Sequence, residues 1–115
     1  MPAAVAADLV VSDYSPRIGE AAAVGRPVVL FQPDRELFLA RTCGVYPGLD
    51  EVGPVVIDQV ALHDEVERWL RDPVAWDLPW QESRAAWGSA WAGPADGHAA
   101  DRAADALAAA IRGAR

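Results

Sequence analysis

Cysteine is nearly absent from this sequence: Cys43 is the only one, so the chain cannot form an internal disulfide. Such sparing use is typical of a reducing compartment, and we predict that Cys43 is a small packing residue, because no activating partner adjoins it. Lysine is missing altogether, and all ten basic residues are arginine, which indicates compositional bias rather than a function. No apolar run approaches the roughly 20 residues that a membrane-spanning helix needs.

Positive charge is also scarce, since the 115 residues carry a formal net charge of -7. An acidic chain argues against non-specific nucleic-acid binding, which depends on neutralising phosphates. With 52% hydrophobic and 23% charged residues, the composition is that of a globular protein. The length corresponds to one domain at most.

The most informative stretch begins with an apolar run that breaks abruptly into Ser12-Asp13-Tyr14-Ser15. Ser15 is well placed as a helix N-cap, Pro16 suits the first helical position, and Gly25 suits the end of that helix. The pattern predicts a parallel βαβ unit. Its elements are a strand at about Leu9–Ser12, a helix at about Pro16–Val24 and a strand at about Pro27–Phe31.

Further along the chain, the short β-branched run Val55-Val56-Ile57 predicts a third strand. Apolar spacing predicts four more helices, at about 35–42, 60–71, 81–91 and 98–112. We expect the last helix to bury Ala103, Ala106, Leu107, Ala110 and Ile111.

The fold class that follows is α/β: a partial, Rossmann-like three-layer parallel sheet of about three strands with carboxyl-terminal helices. We expect one partial nucleotide-binding domain over residues 1–115, with residues 74–115 as its helical extension. Because the first residues read as the end of a helix and three parallel strands make a thin sheet, we expect the carboxyl-terminal part of a larger α/β domain.

Ser12, Asp13 and Ser15 are the leading candidates for a binding site. They lie where a parallel strand ends and a helix begins, and there free N–H groups and the helix dipole favour anions such as phosphate. Asp34 follows the second strand at the same edge, which suggests contact with a donor or substrate. The alternative is a polar turn that caps two helices without a ligand.

The chain resembles the CDP-glycerol glycerophosphotransferase family, the teichoic-acid polymerases and primases of bacterial cell walls. Ala7-Asp8 through Ser15 is similar to the family's AD-hydrophobic-TDYSS stretch, and Gly25 to Phe31 is similar to KRPIIFF. The series continues in order over nearly the whole chain. Asp34–Phe38 is similar to DLEEY, Gly44-Val45-Tyr46 to RGFY, Gly53–Val56 to PGPIV, and Asp96–Ala99 to DGKAS.

This resemblance implies the carboxyl-terminal half of a GT-B fold, which holds the nucleotide. The activity that it implies is transfer of glycerol phosphate from CDP-glycerol, with release of CMP. Ser12, Asp13 and Ser15 match the family's phosphate-binding loop. Glu20 matches an acidic position that contacts the ribose in related nucleotide-sugar enzymes. We predict no cofactor and no metal site.

The partners that the resemblance implies are CDP-glycerol or another nucleotide-linked donor, a lipid-linked or polymer acceptor, and a missing amino-terminal domain or partner chain. No nucleic acid is among them. The implied location is the cytoplasm, with peripheral attachment at the inner face of the cell membrane.

Several positions depart from the family pattern. Pro16 replaces the second serine of DYSS, Cys43 replaces the arginine of RGFY, and Phe38 lacks the hydroxyl of the family's tyrosine. The family's catalytic histidines lie upstream, and we expect His63 and His98 to be surface residues, so no catalytic residue is assigned. Two alternatives stay open: half of a nucleotide-sugar glycosyltransferase or epimerase, and a non-catalytic remnant or interaction module.

Overall fold

The computed structural model of the chain describes residues 2–114. Its three strands are β1 (Val10–Ser12), β2 (Val28–Phe31) and β3 (Val55–Val56), and a 3₁₀ turn spans Leu49–Glu51. The described helices are α1 (Pro2–Ala6), α2 (Arg17–Ala23), α3 (Arg35–Arg41), α4 (Gln59–Arg71), α5 (Pro73–Asp77), α6 (Gln81–Ala92) and α7 (Ala99–Gly113).

The strands form one parallel sheet in the order β1-β2-β3. Val10 pairs with Val28, and Leu30 pairs with Val55. Because consecutive strands are parallel neighbours, each connection crosses from one end of the sheet to the other, as in a βαβ unit. The predicted α/β class is confirmed, and the layout is consistent with a partial Rossmann-like domain.

Successive side chains of β2 point to opposite faces of the sheet, so the core has two layers, one on each face. Val28 and Leu30 pack on one face with Ile18 and Ala21 of α2, whereas Val29 and Phe31 pack on the other. The second face is covered by α4 and α5, through Ala61, Leu62, Trp69 and Trp76. Val28, Val29 and Leu30 are all fully buried, as expected for the central strand of a three-layer fold.

β1 is an edge strand in the described part of the chain, since it pairs with β2 alone. Val11 at its centre is 46% exposed. Aspartates stand on both sides of the strand, at Asp8 and Asp13, and both are exposed. Charges of this kind discourage an edge from pairing with another chain.

A buried ion pair fixes the corner between α5 and α6. Arg84 donates from Nη1 and Nη2 to the two carboxylate oxygens of Asp77, at 2.7 and 2.8 Å, and Gln81 donates a third bond to the same carboxylate at 3.1 Å. Such a bidentate arrangement holds direction as well as distance. The corner returns the chain to the α2 side of the sheet.

α6 then packs closely on α2 through residues that lack bulk. A Cβ atom at Gly88 would lie 2.7 Å from the backbone carbon of Ala22, and one at Gly19 would lie 2.1 Å from the ring of Trp91. The contact at Gly88 is with backbone that has no room to move, so glycine is required there, whereas a side chain at Gly19 would require the Trp91 ring to shift.

The final helix, α7, forms where it was predicted, but the prediction that it is buried is wrong. Leu107 is 64% exposed and Ile111 is 54% exposed, and Ala103, Ala106 and Ala110 are exposed as well. The apolar side of α7 is mostly alanine, which offers little apolar area. Packing this side against the rest of the protein would therefore stabilise the fold only slightly. The molecule is correspondingly elongated, 61 Å in its longest dimension.

We predict that Gly88→Ala lowers the free energy of unfolding by about 1–3 kcal/mol, because the added methyl group has no room against the backbone of α2. Urea denaturation followed by circular dichroism measures this effect.

Gly113→Ala is the matched control. Gly113 lies in α7 with nothing near its would-be Cβ, so this substitution should be neutral or slightly stabilising. Equal losses of stability in the two variants would contradict close packing of α2 on α6.

Candidate functional site

The Ser12–Ser15 loop lies at the carboxyl end of β1, as predicted, and its polar groups bond to one another. The Ser15 backbone N–H donates to Asp13 Oδ1 at 3.0 Å, and Ser15 Oγ accepts from the Arg17 N–H at 3.3 Å. Pro16, directly before α2, already has helical backbone angles (φ -55°, ψ -17°). The loop is therefore a pre-formed turn whose serine hydroxyl caps the start of α2.

Gln32 connects this loop to the next one, and sequence reasoning missed it. Its side chain is fully buried, its Nε2 donates to the Asp13 carbonyl oxygen at 3.1 Å, and its Oε1 accepts from Arg35 Nη1. The available signal was a glutamine directly after an apolar strand, but an isolated amide there reads as an ordinary loop residue.

Arg35 extends the same network to a third segment. Its guanidinium donates to both carboxylate oxygens of Asp50, at 3.2 and 2.6 Å. Asp50 lies in the 3₁₀ turn that precedes β3. A single chain of hydrogen bonds thus joins the segments that follow β1 and β2 to the one that leads into β3.

Tyr14 and Asp34 form a second contact between the loop after β1 and the segment after β2. The Tyr14 hydroxyl donates to Asp34 Oδ1 at 3.2 Å, and the Tyr14 ring stacks on Phe38 with a centroid distance of 3.6 Å. Partial burial, and then the hydrogen bond to the Asp34 carboxylate, raise the pKa of Tyr14 above its ordinary value of 10.0. The Tyr14 phenol therefore stays protonated at pH values below this raised pKa. The Asp34 carboxylate, which accepts its hydrogen bond, makes no side-chain cap on α3.

A cleft of about 320 Å³ opens beside the loop. Its lining is mainly apolar and aromatic, and it comes from the Ser12–Ser15 loop, α3, the segment after α3 and the 3₁₀ turn. Cys43 is exposed and lines this cleft, so the prediction that it is a packing residue is wrong. The lining residues are Tyr14, Phe38, Thr42, Cys43, Gly44, Val45, Tyr46, Pro47 and Leu49.

α6 holds the far wall of the cleft in place. The Trp87 indole N–H donates to the Pro47 carbonyl oxygen at 2.8 Å, and the Ser83 hydroxyl donates to the Glu51 carbonyl oxygen at 2.5 Å. Tyr46 packs against Trp91 with ring centroids 4.4 Å apart. The turn-rich segment is thus supported by a helix that is distant in sequence.

Glu20 faces a different part of the surface. It lines a hollow of about 220 Å³ between α1, β1 and α2, together with Arg17 and Leu9. Ser12, Asp13 and Asp34 surround the carboxyl edge of the sheet, whereas Glu20 borders this separate hollow.

Neither histidine lines the cleft. His63 lies on α4 beside Glu67, and His98 precedes α7 beside Asp101; both are exposed, as predicted. Within residues 2–114, no three histidine, cysteine or acidic side chains are grouped so as to hold a metal ion. No helix in that range is both long and apolar enough to cross a membrane.

Comparisons of the chain with protein-family models, with curated proteins and with solved structures find no match.

We predict that Gln32→Met lowers the free energy of unfolding by about 1–3 kcal/mol, because the Asp13 carbonyl and the Arg35 guanidinium lose a buried partner. Chemical denaturation measures the loss. Gln59→Met, on the exposed first turn of α4, is the control and should change stability by less than about 0.5 kcal/mol. Similar losses in the two variants would show that the buried network is not stabilising.

We also predict that Tyr14 ionises above pH 10 and that Asp34→Asn lowers its pKa, because the neighbouring carboxylate opposes a second negative charge. Because folding raises the Tyr14 pKa, the protonated phenol stabilises the folded protein fully at pH values below the unfolded-state pKa. That stabilisation is lost as the pH rises through the folded-state pKa. Ultraviolet titration of tyrosinate in a Tyr46→Phe background isolates Tyr14. An unchanged titration curve in Asp34→Asn would show that the pair does not interact.

Proposed function

We propose that the chain is the donor-binding half of a CDP-glycerol glycerophosphotransferase-like enzyme. It would hold a nucleotide-linked donor at the carboxyl edge of its sheet, in a partial GT-B-like arrangement. The observation that carries the proposal is the placement of the cleft. A mainly apolar, aromatic cleft adjoins the Ser12–Ser15 loop at the edge where doubly wound sheets bind nucleotides.

The cleft suits the nucleobase end of such a donor. Tyr46 and Phe38 offer aromatic faces and Val45 offers an apolar contact, and bases stack well on surfaces of this kind. The volume of about 320 Å³ falls within the range of small-molecule sites.

The phosphates would lie at Ser12, Asp13 and Ser15, beside the start of α2. Because the loop contains an aspartate, binding an anion there needs nearby positive charge. Arg41 is exposed and has no ion-pair partner within residues 2–114. Arg41 ends α3 immediately before Thr42 and Cys43 of the cleft, where it could replace the arginine that the family places one residue before Gly44.

The acceptor and the general base would come from another domain or chain. Transfer to an acceptor hydroxyl requires a base within hydrogen-bond reach of it, and no histidine borders the cleft. We place the assembled enzyme in the cytoplasm, at the inner membrane face where a lipid-linked acceptor would be found.

A binding module without transfer chemistry is the second candidate. It is favoured by the loop itself, since the Ser15 N–H already donates to Asp13 and the Ser15 hydroxyl oxygen already accepts from the first residue of α2. Catalysis reconstituted with an acceptor domain would argue against this candidate.

We predict that CDP-glycerol and CDP bind the chain and that Ser15→Asp weakens both by about tenfold, equivalent to about 1.4 kcal/mol. Aspartate still caps α2 but repels phosphate, so the helix should persist while binding is weakened. Isothermal titration calorimetry measures the affinities.

Ser89→Asp, which adds the same charge at an exposed position of α6, is the matched control and should bind normally. Cytidine, which lacks phosphate, should be insensitive to Ser15→Asp. No heat of binding from CDP or CDP-glycerol at millimolar concentration would refute the proposal, and a preference for UDP-sugars would favour a nucleotide-sugar enzyme.

A further inference from the structure

The cleft beside the Ser12–Ser15 loop has two opposite walls, and they differ in how firmly they are held. One wall is the segment of Tyr46, Pro47 and Leu49. Leu49 is anchored in the core, with only 1% of its surface exposed. The Trp87 indole N–H also donates to the Pro47 carbonyl oxygen, at 2.8 Å. This wall is therefore fixed to the core and to α6.

The opposite wall is α3, which contributes Phe38 to the cleft. No residue of α3 is buried, so little packing holds this helix to the rest of the protein. The Phe38 ring stacks on Tyr14, which lines the same cleft but joins α3 to the loop rather than to the fixed wall. The segment that connects the two walls contains two glycines with positive φ, 102° at Gly44 and 75° at Gly48. Side-chain contacts must therefore set the position of α3 relative to the fixed wall.

Arg35, the first residue of α3, makes the contact that joins the two walls. It donates from Nη1 and Nη2 to the two carboxylate oxygens of Asp50, at 3.2 and 2.6 Å, and Asp50 directly follows Leu49 of the fixed wall. Arg35 lies three residues before Phe38, on the same side of α3. Its guanidinium is itself held in place, because Nη1 also donates to the buried Gln32 amide. Such a bidentate pair fixes direction as well as distance.

We propose that the Arg35–Asp50 pair sets the width of the cleft and thereby selects single-ring bases over fused double-ring bases. This inference rests on the proposed function, which places the base between the two walls. The cleft of about 320 Å³ is near the lower end of the range for small-molecule sites, and a cleft of that size suits a pyrimidine better than a purine. Arg35 and Asp50 are positioning residues, since they act on the base through the walls.

Breaking the pair should change the cleft more than it changes stability. The side chains of Arg35 and Asp50 are 25% and 45% exposed, and ion pairs with this much exposure contribute little to the free energy of unfolding. Asp50→Ala removes the carboxylate and leaves the bond between Arg35 and Gln32 in place. We therefore expect the variant to fold normally, as verified by circular dichroism, with α3 no longer held at a fixed distance from the opposite wall.

Distances between spin labels test the tether without a nucleotide. In a Cys43→Ser background, nitroxides at Ala40→Cys of α3 and Glu82→Cys of α6, both exposed positions, report the separation of the two walls. We expect Asp50→Ala to lengthen and broaden the distance distribution. Asp50→Glu keeps the carboxylate and should largely restore the original distribution. An unchanged distribution in Asp50→Ala would overturn the proposal.

Calorimetric titration with CDP and with ADP tests the selection. We expect the unaltered chain to bind CDP about tenfold more tightly than ADP, and we expect Asp50→Ala to lower that ratio by about fivefold. Loss of a negative charge by itself strengthens binding of both nucleotides alike, so it cancels in the ratio.

Glu36→Ala is the matched control. It removes an exposed carboxylate from α3, next to Arg35, and the Glu36 side chain has no hydrogen bond or ion pair within residues 2–114. The ratio of the two affinities should therefore stay within about twofold of its original value in this variant.

The outcomes separate this inference from the proposed function. CDP binding with no preference over ADP, or a preference that Asp50→Ala leaves unchanged, would overturn the selection while the donor site stands. Failure of the unaltered chain to bind CDP would refute the donor site and base selection together. In that case the label distances still decide whether the pair holds the two walls at a fixed separation.

Discussion

The buried amide of Gln32 is the contact on which the carboxyl edge of the sheet depends. It stands at the end of the fully buried strand β2, where water cannot substitute for a missing partner, so both ends of the amide must be satisfied within the protein. It does this by donating to the Asp13 carbonyl and accepting from Arg35. The loop after β1 and the helix after β2 are thereby held in a fixed relation.

The features that define the candidate site follow from that relation. Arg35 passes the constraint to Asp50 and the 3₁₀ turn, and α6 supports the same segment from the other side through Trp87. The resulting cleft is formed by residues far apart in sequence, and the Tyr14–Phe38 stack forms part of its wall. Its apolar lining and the polar loop beside it are chemically suited to the base and the phosphates of a nucleotide, respectively.

Much of the fold could be predicted because local patterns determine it. The apolar run of β2 and the glycine that ends α2, Gly25 with φ 71°, each have a local physical cause, and both appear in the structure. The exposure of α7 could not be predicted, since periodicity shows which face is apolar but not whether another element covers it. Leu107 and Ile111 have the same pattern whether they pack on the body or on another chain.

The site was only partly predictable for a similar reason. Ser15 and Asp13 were recognisable from turn and cap chemistry, which is local. Gln32 gains its role from burial and from partners that only tertiary structure brings together, and the cleft position of Cys43 follows from the segment that α6 supports.

We propose that a nucleotide lies with its phosphates at the Ser12–Ser15 loop and its base in the adjoining cleft. Titration of ¹⁵N-labelled protein with CDP, followed by amide chemical shifts, tests it most directly. We expect saturable shifts confined to residues 12–17 and 42–47, with the amides of α4 and α7 unchanged. Shifts centred on α4, on α7 or on the hollow beside Glu20, or no shifts at millimolar CDP, would contradict it.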